Sequence, residues 1–291
     1  MPDTKTADEL QRHMLGTYFS LRAGLAVVGI ALPLVVLFAG GFLHHVWFGP
    51  SLSQYYHVDA PPPFFTTRDL FVGGLFAAAA CLYLYKGFST RENLALNAAA
   101  VFAALVALLP TAKTPDARGP VSTLHAASAV LFFLCIAYVS LRRARDTLPL
   151  LPEPKRAPYA RAYRWTGLLL VASPLAAVVL SYALDPASRL RTLVFWVETF
   201  GVWTFAAYWT VKTAEMRETQ AERRALDAEL RRAVVPAAAD QDAVLAAPRH
   251  VPPPAAGRAR GGAAQAGAGG PTIPVADMVE GIIPAAQPAT R

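Results

Sequence analysis

The stretch 23–43, AGLAVVGIALPLVVLFAGGFL, holds no charged and no strongly polar side chain. About twenty such residues, rising about 1.5 Å each as a helix, cross the roughly 30 Å hydrocarbon core of a bilayer. A secretory signal has an apolar core of only about 7–15 residues, so this run reads as a first span that stays. A strand alone cannot satisfy its backbone in lipid, and the alternating pattern of a barrel strand is absent. Helix is the expectation here and for the five further apolar runs at 69–85, 93–110, 121–141, 165–184 and 192–211. The chain is 54% hydrophobic and 16% charged, against about 25% charged residues in soluble domains.

Orientation is read from lysine and arginine. Three precede the first run, two lie in the second connection, seven in the fourth and six just after the last run, eighteen of the 27. The alternate connections hold only one, two and two. The fold class expected is therefore all-α, a polytopic bundle of six spans with both ends in the cytoplasm. Its expected divisions are a cytoplasmic segment 1–22, the bundle 23–211, a helical extension 212–234 without Gly or Pro, and an Ala/Pro/Gly-rich tail 235–291. Such a tail buries too little surface to offset its ordering entropy. The net charge of +7 lies beside apolar segments rather than on a basic face interleaved with aromatics, which speaks against nucleic acid. The basic flanks are expected to sit on anionic lipid at the cytoplasmic face of the plasma membrane.

Within the runs, Pro33 and Pro174 each remove a backbone hydrogen bond. The alanine-rich third run, with Asn93 and Asn97 one turn apart, is expected inside the bundle, and Gly73 and Gly74 at close helix contacts. Trp47, Phe48, Tyr55, Tyr56, Trp165 and Trp209 are expected to form interfacial belts. Cys81 and Cys135 read as small buried hydrophobes.

Ionisable groups at membrane depth are costly and mark function. Asp69 opens the second run, with His125 about 6 Å deeper and Glu198 about 9 Å deep on the same, outer side. The loop between the first two runs adds His44, His45, Ser51, Ser53, Tyr56, His57 and Asp59. The expected site is a cluster of Asp69, His125, Glu198, Ser53, Tyr56 and His57, either a hydrogen-bond network between spans or a pocket for a lipid headgroup or small ligand. No metal or other cofactor is expected in that case. The alternative is a metal-dependent lipid hydrolase, with zinc on His125, Asp69 and a loop histidine and Glu198 as general base. No close ligand pair such as His-x-x-x-His lies on any run. The inner half of each run is almost free of ionisable groups, which argues against a proton relay.

The motifs Ser51-Leu-Ser53-Gln-Tyr55-Tyr56, Arg68-Asp69-Leu-Phe-Val-Gly73, YKGF (85–88), VALLPT (106–111), His125 and FWVE (195–198) resemble uncharacterised bacterial six-helix membrane proteins. These are similar in layout to the Frag/DRAM/Sfk group. The resemblance covers roughly residues 20–215 and implies a six-helix bundle in the plasma membrane, with no activity attached.

Overall fold

The computed structural model describes residues 7–58, 65–185, 188–224 and 228. Asp59, most of the extension beyond 224 and the tail 235–291 lie outside the described residues. The architecture is all-helical. Six long helices follow one another: α1 Ala7–His44, α2 Thr67–Leu84, α3 Thr90–Leu108, α4 Pro120–Tyr138, α5 Glu153–Ala183 and α6 Thr192–Thr219. Five of them, all but α6, are long and apolar enough to cross a membrane. Glu198 and several Thr, Trp and Tyr residues lower the hydropathy of α6.

Each helix packs on its neighbour in sequence, and α6 closes the ring against α1. Glycines allow two of these approaches. Gly29 of α1 faces Ala206 of α6 where a Cβ would be crowded, and Gly201 of α6 lies against Ser173 of α5. The expectation that the third run lies inside the bundle is corrected. Helix α3 is one stave of the ring, packed on α2 and α4, with Leu94 and Val101 on its outer face. Its small residues, Ala99, Ala100 and Ala103, are buried in those two contacts. The carbonyl oxygens of Asn93 and Asn97 accept no hydrogen bond from the described residues. Gly74 packs on Leu32, whereas Gly73 has open space around it.

Helix starts follow local chemistry. Thr66 and Asp69 form a reciprocal capping box on α2, and Ser89 caps α3 through the Glu92 amide, satisfying amides that have no partner inside the helix. Pro110 follows α3, and a residue before proline is biased to extended backbone; Leu109 has ψ 120 and ends the helix.

The apolar runs understate the helices at one end. Helix α1 begins at Ala7 rather than near residue 23, so most of the segment 1–22 is helical. Helix α5 begins at Glu153, and a π-turn (Val139–Arg143) followed by a 3-10 turn (Ala144–Leu150) reduces the fourth connection to a tight corner. The extension is not one helix: Gln220 adopts a left-handed conformation with φ 47 and ends α6, and helix resumes at 221–224.

This end also buries ionisable groups, just outside the bounds of the apolar runs. Lys212 and Glu215 are buried and joined at 2.9 Å. The Lys212 ammonium also donates to the Thr147 hydroxyl of the corner at 3.0 Å, and the Tyr163 hydroxyl of α5 donates to Glu215 at 2.7 Å. Arg22 of α1 pairs with Glu222 beyond the break. The cluster ties α1, the corner, α5 and α6 together. From sequence these residues look like a solvated, charged continuation of the last run.

Trp209 and the loop tyrosines are corrected too. Trp209, Tyr55 and Tyr56 are buried core residues, while Trp47 and Trp165 are exposed as belt residues are. Cys81 and Cys135 are free and half-buried.

Candidate functional site

At the opposite end, the loop after α1 folds back over the ring. Two residues in it, His45 and Phe48, take left-handed backbone at φ 57 and 52. A Cβ at Gly40 would run into the Tyr55 ring, so glycine lets that ring lie against α1. Phe48 packs on Phe195 and Trp196 of α6. A 3-10 turn, Ser53–His57, then sits over the ring, its Leu52, Tyr55 and Tyr56 buried in a cluster with Val36, Phe71 and Phe195.

Polar contacts pin this lid on three sides. The Glu198 carboxylate of α6 accepts from the Leu52 amide at 2.7 Å and the Ser53 amide at 3.2 Å. It caps the 3-10 turn as a capping side chain would. The Gln54 amide donates to the Ala112 carbonyl at 2.6 Å, and His57 Nε2 bonds the Thr111 carbonyl at 2.6 Å. A carbonyl only accepts, so Nε2 of His57 carries the proton. The Thr67 hydroxyl donates to the Tyr55 carbonyl at 2.9 Å.

Beneath the lid lies a cavity of about 890 Å³, bordered by residues of all six helices. Its walls are mostly apolar, including Leu75, Val106, Val130, Phe132 and Val202. Three of the six residues nominated from sequence line it: Ser53, His125 and Glu198. Tyr56 and His57 do not. They brace the lid, with the Arg68 guanidinium 4.4 Å over the Tyr56 ring. Asp69 is elsewhere in role: exposed, it accepts from the Thr66 amide at 2.8 Å and caps α2. Its charge meets a helix start, which is a sufficient reason for an acid there. Among the described residues, no three His, Cys, Asp or Glu side chains are gathered as metal ligands.

His125 is 3% exposed, and its Nδ1 lies 2.7 Å from the Leu109 carbonyl, left without a helical partner by the break before Pro110. That contact requires the proton on Nδ1 and leaves Nε2 of a neutral ring as an acceptor. Nε2 has no hydrogen-bond partner among the described residues, and neither has the buried Ser173 hydroxyl, which also lines the cavity.

Sequence reading missed the cations of the rim. Lys113, Arg118 and Arg191 line the cavity, and among the described residues Glu198 is the one acid that does. Arg118 donates to the Ser181 carbonyl at 2.7 Å and lies 4.2 Å over the Tyr182 ring. The only sequence signal for them is that they belong to the sparse outer set of basic residues, there used for orientation alone. No family model, curated protein or solved structure matches the chain.

Proposed function

We propose that this chain is a six-span, multi-pass protein of the plasma membrane, with both ends in the cytoplasm, that binds an amphiphile without chemically transforming it. The observation that carries the binding role is the lidded cavity of about 890 Å³ with apolar walls and two inward acceptor groups, His125 and Glu198. Sites of roughly 300–1,000 Å³, mostly apolar with a few placed polar groups, are those that bind small ligands.

The sixth span rests on the faces of α6. Thr199 and Thr204 are buried and Glu198 faces the cavity, while Leu193, Trp196, Phe200 and Trp203 stay exposed at helical spacing. The polar content that lowers its hydropathy thus points inward, and an apolar stripe is left for lipid. The alternating basic bias supports the orientation.

Two measurements test the reading. In a Cys81→Ser/Cys135→Ser background, Thr114→Cys and Arg145→Cys, both at exposed positions, are expected to react with an impermeant thiol reagent from opposite sides. Labelling from one side would overturn the topology. Native mass spectrometry of protein extracted with its lipid is expected to show a bound amphiphile that Ala129→Phe, which fills the cavity, removes. Equal retention in that variant would overturn the binding role.

A further inference from the structure

The cavity's polar groups are layered along its axis, and the layering identifies a ligand class. The inference rests on the binding role proposed above and deepens it. Lys113, Arg118 and Arg191 lie just outside α4 and α6 at the rim. His125 is five residues into α4 and Glu198 six into α6, about 7.5 and 9 Å below the rim at 1.5 Å per residue. Ser173 lies ten residues before the end of α5, about 15 Å down, and Phe132 twelve into α4, about 18 Å down. From rim to floor, cations and hydroxyls such as Ser122 and Thr123 come first, then His125 and Glu198, then Ser173, then hydrocarbon.

The middle layer is selective at His125, whose free nitrogen accepts and does not donate, while the Ser122 and Thr123 hydroxyls that also line the cavity donate to the Gly119 carbonyl. Nε2 of His125 is a lone pair, fixed by the Leu109 carbonyl on the other nitrogen. The Glu198 carboxyl already holds two lid amides on one oxygen, so His125 is the open acceptor. A ligand group at that depth has to bring a proton. An ester would set lone pairs against lone pairs and leave buried acceptors unmet, the costly outcome for polar groups.

We propose that the cavity holds a single-chain phosphate amphiphile with a free hydroxyl between phosphate and chain, the chemistry of a lysophospholipid. The phosphate meets Lys113, Arg118 and Arg191, the hydroxyl donates to His125, and the chain lies among the apolar walls. A diacyl phospholipid has an ester where this hydroxyl stands and fits the middle layer poorly. Arg118 is already placed by Ser181 and Tyr182 with donors to spare, and arginine suits phosphate geometry.

The test uses full-length protein in nanodiscs and measures binding of palmitoyl lysophosphatidate, hexadecyl phosphate, dipalmitoyl phosphatidate and inorganic phosphate. Lysophosphatidate is expected to bind about 2- to 10-fold tighter than hexadecyl phosphate, the worth of one net hydrogen bond. His125→Leu is expected to erase that difference, and His125→Gln, which keeps an acceptor, to retain part of it. Arg118→Gln/Arg191→Gln is expected to weaken both phosphate amphiphiles about tenfold, more so at low salt. Dipalmitoyl phosphatidate or hexadecyl phosphate binding as tightly as lysophosphatidate would overturn the ligand class while leaving an amphiphile site standing. Inorganic phosphate binding with equal affinity would overturn the role of the chain. Absence of binding by every amphiphile, with Ala129→Phe indistinguishable from the parent, would overturn the cavity reading itself.

Discussion

Replacing Glu198 by alanine is expected to release the lid without unfolding the ring. The Glu198 carboxyl accepts two amide hydrogen bonds, at 2.7 and 3.2 Å, from the start of the 3-10 turn. A hydrogen bond contributes about 1 kcal/mol net, rising to about 1.5–3 kcal/mol when one partner is charged. The longer bond is the weaker, and the site borders an open cavity, so the pair is expected to contribute about 2 kcal/mol rather than the sum. At about 1.4 kcal/mol per decade, that corresponds to about a 30-fold rise in the opening equilibrium of the turn. Hydrogen exchange measured by mass spectrometry should show peptides covering Leu52 to His57 exchanging about 30-fold faster in Glu198→Ala. Peptides from the middle of α2 and α3 should be unchanged, because Ala78, Leu82, Ala99 and Ala103 stay packed in the core of the ring. Glu198→Gln, which keeps an acceptor oxygen but loses the charge, is expected to fall between the two. Unaltered exchange in the turn would refute the clasp, and uniform acceleration through α2 and α3 would show that Glu198 holds up the whole bundle instead.

Lys212→Ala leaves Glu215 buried beside an emptied site and is expected to lower stability to chemical denaturation by about 3–5 kcal/mol; Lys212→Met/Glu215→Leu is expected to recover most of that loss, since buried pairs gain little over well-packed apolar side chains. Gly40→Ala drives a methyl into the Tyr55 ring and is expected to cost about 1–3 kcal/mol, with faster exchange at residues 52–57 as the signature that the damage is local. Gln220→Gly places glycine where φ is 47 and is expected to stabilise by up to about 1 kcal/mol, read in the same denaturation assay.

How much of this was legible in the linear chain differs by element. The apolar runs are lengths of sequence that water cannot solvate favourably, so their existence follows from composition alone. Some of their ends are set by local bonds, at Thr66 and Pro110 on the lid side and at Ser89 on the opposite side. At the other end the helices outrun the hydrophobic runs by a turn or more, because Tyr163, Arg22 and Lys212 pair with Glu215, Glu222 and Thr147, far away in sequence. Asp69 illustrates the converse. Its position at a run boundary made it look like a site residue, and a bond three residues away explains it.

What the sequence by itself determined is the all-helical character and the positions of the long apolar helices, because burial in lipid depends on local composition and a helix satisfies its own backbone. It also nominated His125 and Glu198, because charge and imidazole within an apolar run are conspicuous without any partner in view. Only the tertiary structure decided that Glu198 clasps the lid, that His125 turns a bare acceptor toward a cavity, that Arg118 and Arg191 stand at its rim, and that Lys212 and Glu215 are core. Each of these depends on which side chain from another helix arrives within about 3 Å, and that distance is set by packing of the whole ring.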